Sequence, residues 1–187
     1  MNKYTLILSL FLVSLFAGCE ILDVDPYHSM PADQAITDAR GVERALIGCY
    51  DAMQGVGYYG RNYVVVGDLS ADQLIWSGTT AGYDQINNNN ILADNVIVEG
   101  IWASIYIALN RVNNVIHQLP SVDDLDEQER KQISGELHFL RALHHYNLMR
   151  LFGPIPLRTM PATAEESNLN QPRQSIQAVI AQIEQDL

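Results

Sequence analysis

An all-α protein built of antiparallel helical hairpins around a loop-rich insert is the fold this sequence predicts. Three observations carry that expectation. Apolar residues recur at helical spacing through residues 38–54, 96–119 and 126–152. A short loop containing Pro120 separates the second segment from the third, which suits antiparallel neighbours. The third pattern then stops abruptly at Gly153 and Pro154 and hands over to an extended segment.

At the N-terminus, Lys3 precedes an apolar run over residues 4–16, followed by Ala17, Gly18 and Cys19. This is the order of a lipoprotein signal. Small residues ahead of the cysteine admit the peptide to a lipoprotein signal peptidase, and the Cys19 thiol carries the lipid. Phe16 stands where leucine is usual. An ordinary secretory signal with a coincidental cysteine is the alternative. The run falls short of the roughly 20 residues that span a bilayer, so the reading is a protein tethered rather than embedded. Residues 1–18 are thus expected to be a lipoprotein signal peptide and 19–187 the mature domain. Glu20, rather than Asp, follows the cysteine, so the inner-membrane retention signal known from other bacteria is absent.

Residues 21–31 hold Pro26 and Pro31 and read as an extended tether. Asp33 caps a short turn. Residues 38–54 then form the first full helix, burying Val42, Ala45, Leu46, Cys49 and Met53. Cys49 on that face acts as a small hydrophobe rather than a reactive thiol, since no partner cysteine lies nearby. The glycines of residues 55–60 (GVGYYG) break the helix and are expected to leave Tyr58 and Tyr59 in a flexible setting. A second short helix is expected over residues 63–74, with Val65, Val66 and Leu69 inward.

Residues 72–90 are the least regular stretch, with no core expected from them. Their chemistry suits sugars. A pyranose presents a C–H face that stacks on Trp or Tyr and a rim of hydroxyls that pairs with carboxylates and amides. Asp72, Trp76, Tyr83, Asn87 and Asn88 are the candidate ligand-binding residues. The alternative is a solvated connection whose Trp76 folds back onto the helices.

Ile101, Ile105, Ala108, Val112, Val115 and Leu119 form one continuous stripe along residues 96–119, with Trp102, Tyr106 and Leu109 adjoining. Asp126 is placed to cap the next helix, with Glu127 and Glu129 complementing its dipole. In residues 135–157 (GELHFLRALHHYNLMRLFGPIPL), Leu137, Leu140, His144, Leu148 and Leu151 continue one face that begins at Ile133. Phe139, Leu143 and Tyr146 make a second stripe, and two stripes imply two neighbours. Glu136 and Arg141 stand five residues apart and do not face each other, so they are expected to pair with other helices or with backbone carbonyls. Asn110, Arg111, Asn113 and Asn114 are expected to tie helices together or to bond the extended segment.

Composition narrows the partners. The formal charge is −11, and removing residues 1–18 takes away only Lys3. That balance disfavours nucleic acid and adsorption to anionic lipid. Histidines 138, 144 and 145 cluster, but His144 points about 120° from the other two and no carboxylate stands in an HExxH arrangement, so no metal site is read and no cofactor is implied.

The Cys19 lipidation site, residues 22–26 (LDVDP), residues 101–114 (IWASIYIALNRVNN), and residues 135–157 with Glu136, Arg141, Ala142, Leu143, Tyr146, Phe152, Gly153 and Pro156 in order together resemble the SusD/RagB family. These are outer-membrane lipoproteins of Bacteroidetes that bind nutrients and cap a TonB-dependent transporter. The resemblance implies tetratricopeptide-like helical hairpins packed toward a SusC-like transporter, with inserted loops shaping a ligand site elsewhere. It also implies a lid that opens and closes over the barrel. Family members are generally much longer, and residues 176–187 look like the opening of a further helix, so the chain reads as an N-terminal, incomplete portion of the domain.

Three functions stand side by side. The leading one is a cell-surface binder of oligosaccharide or another nutrient, held by a lipid anchor and without turnover. A tethered glycoside hydrolase would need two carboxylates about 5 to 9.5 Å apart. Asp68, Asp72 and Asp84 are available, but nothing singles out a pair. A helical-repeat scaffold with no small ligand is the third.

Overall fold

A computed structural model describes residues 32–71, 73–162 and 171–187. The signal segment, Cys19, the expected tether and Asp72 lie outside the described residues. After a single helical turn, Ala32–Ala35, six helices follow in order: α1 (Ala39–Met53), α2 (Asn62–Ser70), α3 (Ala81–Asn87), α4 (Val96–Gln118), α5 (Glu127–Phe152) and α6 (Ile176–Asp186). Helix α1 packs on α4, α4 on α5, and α5 on α6, while α2 and α3 clip onto α4. The architecture is all-α, as the sequence predicts.

Helix α4 is the axis of the stack because its stripe is apolar from end to end. Ile101, Ile105, Ala108, Val112 and Val115 are all buried, and Leu119 continues the line into the 3-10 turn Leu119–Ser121. Its first half packs with Tyr58, Leu69, Tyr83 and Ile86. The second half meets Val42 and Cys49 of α1 and Leu137 and Leu140 of α5. Burial pushes the Cys49 thiol up to about 12, so the sulfur stays protonated and packs as a hydrophobe.

The turn into α5 is built by Asp126 and Glu129, whose side chains each bond the other's backbone N–H in a capping box. Arg130, one turn on, donates to the carbonyls of Leu119 and Val122 and so satisfies the end of the preceding helix. At the far end Gly153 has φ 68° and ψ −127°. The φ is positive, and this ψ lies beyond the left-handed helical basin, in a region that only glycine enters freely.

Charged and amide side chains on α4 and α5 reach outward from their own helices. Arg141 makes a bidentate pair with Asp186 of α6, Nε to Oδ2 at 2.9 Å and Nη2 to Oδ1 at 2.5 Å, and donates to the Thr159 carbonyl at 3.3 Å. Glu136 accepts from the Tyr50 hydroxyl on α1. Asn113 donates to the carbonyls of Arg158 and Met160, and Asn110 accepts from the Ala162 N–H. Arg111 reaches the Gly48 carbonyl on α1. Asn114 instead bonds the Asn110 carbonyl within its own helix.

One expectation is overturned and another holds in part. Residues 55–60 do not leave Tyr58 in a flexible setting: Tyr58 is fully buried. Backbone bonds from Tyr58 to Gly55, Tyr59 to Met53 and Asn62 to Val56 close the loop on itself. The Asn147 amide then fastens it to α5, donating to the hydroxyls of Tyr58 at 2.6 Å and Tyr59 at 2.7 Å and accepting from Tyr63 at 2.8 Å. The Tyr58 hydroxyl and His144 Nδ1 share a further hydrogen bond at 3.0 Å. The second stripe of α5 is also incompletely covered. Phe139 is 53% and Tyr146 46% exposed, and with Leu143, Ile183 and Leu187 they edge an apolar groove of about 170 Å³. Helices α4 and α6 are the two neighbours, but α6 sits against one margin of that stripe.

Two predictions follow from the buried charges and rings. Arg141→Met strands the Asp186 carboxylate in the interior and should cost about 3–5 kcal/mol in urea unfolding; a loss under ~1 kcal/mol would show that the pair is solvated. Burial holds His144 at about 3 and His145 at about 4, below the ordinary 6.5. Below pH 6.5 the unfolded chain therefore takes up protons that the folded chain refuses. Stability should fall as pH drops from 6.5 toward 4, by up to ~1.4 kcal/mol per pH unit for each histidine. Urea midpoints that stay level between pH 7.5 and 5 would contradict this.

Candidate functional site

The stretch 73–95 folds into a compact module, correcting the expectation that it supplies no core. Tyr83 and Ile86 of α3 are buried and join the interior around the first half of α4. The reason is local. Gly82, Tyr83 and Ile86 fall at i, i+1 and i+4 on the one buried face of the short helix, and Gly82 lies against Ile97 where a Cβ would come within 2.7 Å of its side chain.

Asn95 is the joint of the module. Its Oδ1 accepts from the N–H groups of Ile97 and Val98, capping α4, while its Nδ2 donates to the Gly82 carbonyl at 2.9 Å and to Gln85 Oε1 at 2.8 Å. The sequence reading placed the helix start at Val96 without naming this residue. The signal was present, since asparagine directly before an apolar helical run is a preferred N-cap. Asn89 takes φ 50°, a conformation asparagine tolerates better than most residues.

Four of the five sequence-nominated residues meet here. The Trp76 and Tyr83 rings lie 4.7 Å apart at 44°. Asn87 Oδ1 accepts from the Trp76 backbone N–H at 3.0 Å, and Asn88 Nδ2 donates to Asp84 Oδ1 at 3.1 Å. The fifth, Asp72, is outside the described residues. Tyr83 is buried, with its hydroxyl donating to Asn62 Oδ1 at 2.6 Å and the Arg61 guanidinium 5.6 Å from its ring centre.

Trp76 itself is half-buried, its indole N–H has no protein partner, and Gly78 lies across the ring so closely that a Cβ would sit 2.4 Å from it. The indole thus folds back onto the helices, as the alternative reading had it. Exposed around it are Ser77, Thr79, Thr80, Asp84 and Asn88, with Ile75 the most prominent at 86%. The arrangement is a hydroxyl- and amide-bearing surface backed by a fixed aromatic pair, able to hydrogen-bond a polyol but offering little free ring face.

Of the carboxylates considered for hydrolysis, Asp84 and Asp68 are both exposed, and Asp84 is engaged by Asn88. Among the histidines, His138 donates to the Ser134 carbonyl at 2.7 Å, and His144 is taken up by Tyr58. Groups of histidine, cysteine and carboxylates able to hold a metal are absent among the described residues.

Comparison with known proteins places this geometry. Residues 20–187 match the SusD-like family described as "Starch-binding associating with outer membrane", and the chain belongs to that family. The SusD-like protein P2 of Formosa agariphila is 28% identical over 162 residues, covering 83% of this chain and 31% of the relative. A laminarin-binding SusD-like protein superposes with a TM-score of 0.70 at 27% identity, over 80% of this chain and 33% of that one. A SusD superfamily protein from Bacteroides thetaiotaomicron shares the fold at a TM-score of 0.70 and 24% identity, over 80% and 36% of the two chains. The chain therefore spans about a third of the length of these relatives.

The contact of Gly78 with the indole makes a test of the module. Gly78→Ala should push Trp76 off Tyr83, moving its fluorescence to the red and weakening near-ultraviolet dichroism while helical content holds. Unchanged emission would show that the loop, not the ring, gives way.

Proposed function

We propose that this chain is the N-terminal part of a cell-surface glucan-binding protein that works without turnover beside a SusC-like TonB-dependent transporter. The observation that carries the reading is the match of residues 20–187 to a family described as starch-binding and associated with the outer membrane. A laminarin-binding neighbour of the same fold supports a glucan as ligand. In this proposal residues 1–18 are a lipoprotein signal peptide, Cys19 carries the lipid, and residues 19–187 are the N-terminal SusD-like domain of a lid over the barrel. An acidic body suits a tethered protein that must not adhere to anionic surfaces. Among the described residues no helix is long and apolar enough to cross a membrane.

Within the site, Trp76 offers its accessible edge, Tyr83 backs the indole, Asn87 fixes the Trp76 backbone, and Asn88 with Asp84 and the neighbouring hydroxyls meets sugar hydroxyls; Asp72 is proposed as a further ligand residue by its chemistry alone. Calorimetric titration of the full-length protein with laminarin and starch oligosaccharides tests the binding. The expected result is saturable binding that weakens about tenfold in Trp76→Ala, the scale of one lost aromatic contact. Reducing sugar released by the pure protein would restore the hydrolase. Purification of the tagged lipoprotein from its native membrane in mild detergent is expected to bring a TonB-dependent barrel with it; recovery of the lipoprotein alone after cross-linking would count against the lid.

A further inference from the structure

We infer that a second carbohydrate contact lies beside the loop 55–61, in an open hollow between Tyr50 and Tyr59; the inference rests on the glucan-binding reading above. Met53, Gln54 and Gly60 complete its lining, and its volume is about 680 Å³, within the usual range for small-ligand sites. The two rings are 41% and 36% exposed. What sets them apart from the half-buried Trp76 is that their polar ends are occupied while part of each ring stays open to solvent.

The Tyr59 hydroxyl accepts from Asn147 Nδ2 at 2.7 Å, and its ring is stacked on buried Tyr58 at 4.5 Å and 28°. Tyr50 donates its hydroxyl to Glu136 Oε2 at 3.2 Å. Each ring is thus held by its own bonds before any ligand arrives, and a ring whose rotation is already lost adds little entropy cost to stacking. A pyranose satisfies such a surface because its C–H face needs an aromatic plane and no hydroxyl partner from the ring.

The polar remainder falls to Gln54, an exposed amide with two donors and an acceptor, and to the Glu136 carboxylate at the rim. Met53 gives an apolar floor. Gly60 keeps the wall flush: a Cβ there would sit 2.2 Å from the Gln54 carbonyl, so any larger residue would displace the turn that sets Tyr59. The ligand class this fits is a short gluco-oligosaccharide laid across two tyrosines, with its hydroxyls turned to Gln54 and Glu136.

Calorimetric titration of the purified chain with laminarihexaose and with maltoheptaose, in wild type, Tyr50→Ala, Gln54→Ala and Trp76→Ala, tests it. Tyr50 is half exposed, so its removal should leave the urea midpoint nearly unchanged, and Gln54→Ala serves as a second variant that touches no core residue. The expected result is two binding phases in the wild type: one, at the hollow, that weakens about tenfold in Tyr50→Ala and less in Gln54→Ala, and another, at the Trp76 module, that alone weakens in Trp76→Ala. Wild-type isotherms retained by both Tyr50→Ala and Gln54→Ala would overturn the hollow and leave the family reading standing. Absence of binding by the wild type to either glucan would overturn both. Glucan binding that survives in Tyr50→Ala while a co-purifying barrel is lost would also overturn it, assigning the surface to a protein partner.

Discussion

The carboxamide of Asn147 is the interaction on which much of this structure depends. A buried amide that lacks partners costs on the order of 1–3 kcal/mol, and this one is answered by three tyrosine hydroxyls, two from the loop 55–61 and one from the first turn of α2. Those bonds seat residues 55–61 against α5. They thereby set where α2 begins, with Asn62 at its first position, and Asn62 in turn accepts from Tyr83. The aromatic module around Trp76 is thus connected to the helical stack through a relay of hydroxyls and amides. A network of this kind is strong only when complete, since each member would otherwise be a desolvated polar group.

Legibility in the sequence followed the range of the interactions. The long stripe of α4 and the Asp126 cap of α5 were readable because helical burial repeats every three or four residues and capping is decided within a turn. Arg141 and Glu136 could be assigned to other helices by spacing, though not to Asp186 or Tyr50 by name. Tyr58 was misread because its neighbours in sequence are glycines, while its partners His144 and Asn147 lie on a helix more than 80 residues on. The burial of Tyr83 and Ile86 was hidden for a similar reason. Asparagines, threonines and glycines around them suggested solvent, but Asn87 and Asn95 spend their amides on turn and capping bonds rather than on water.

At the candidate site the residue types were legible and their orientation was not. Trp, Tyr and Asn in one irregular stretch is a statement about chemistry, whereas whether an indole faces outward depends on what covers it. Here Gly78 and Tyr83 do, one as backbone and one as ring. The pairing of Tyr50 with Tyr59 was not legible, because each is positioned by a different part of the chain. Tyr50 ends a well-behaved amphipathic helix, and Tyr59 gains its orientation from a residue 88 positions away.

The Arg141 and Asp186 pair has a consequence for how such a chain can change over generations. Two paired charges almost completely removed from water form a unit that single substitutions cannot leave gradually. Replacing either partner alone passes through a buried lone charge, whereas replacing both with apolar residues of similar volume restores a neutral interior. Drift at these two positions, 45 residues apart, is therefore expected to be paired or absent. The link between α5 and α6 is inherited as one character rather than two.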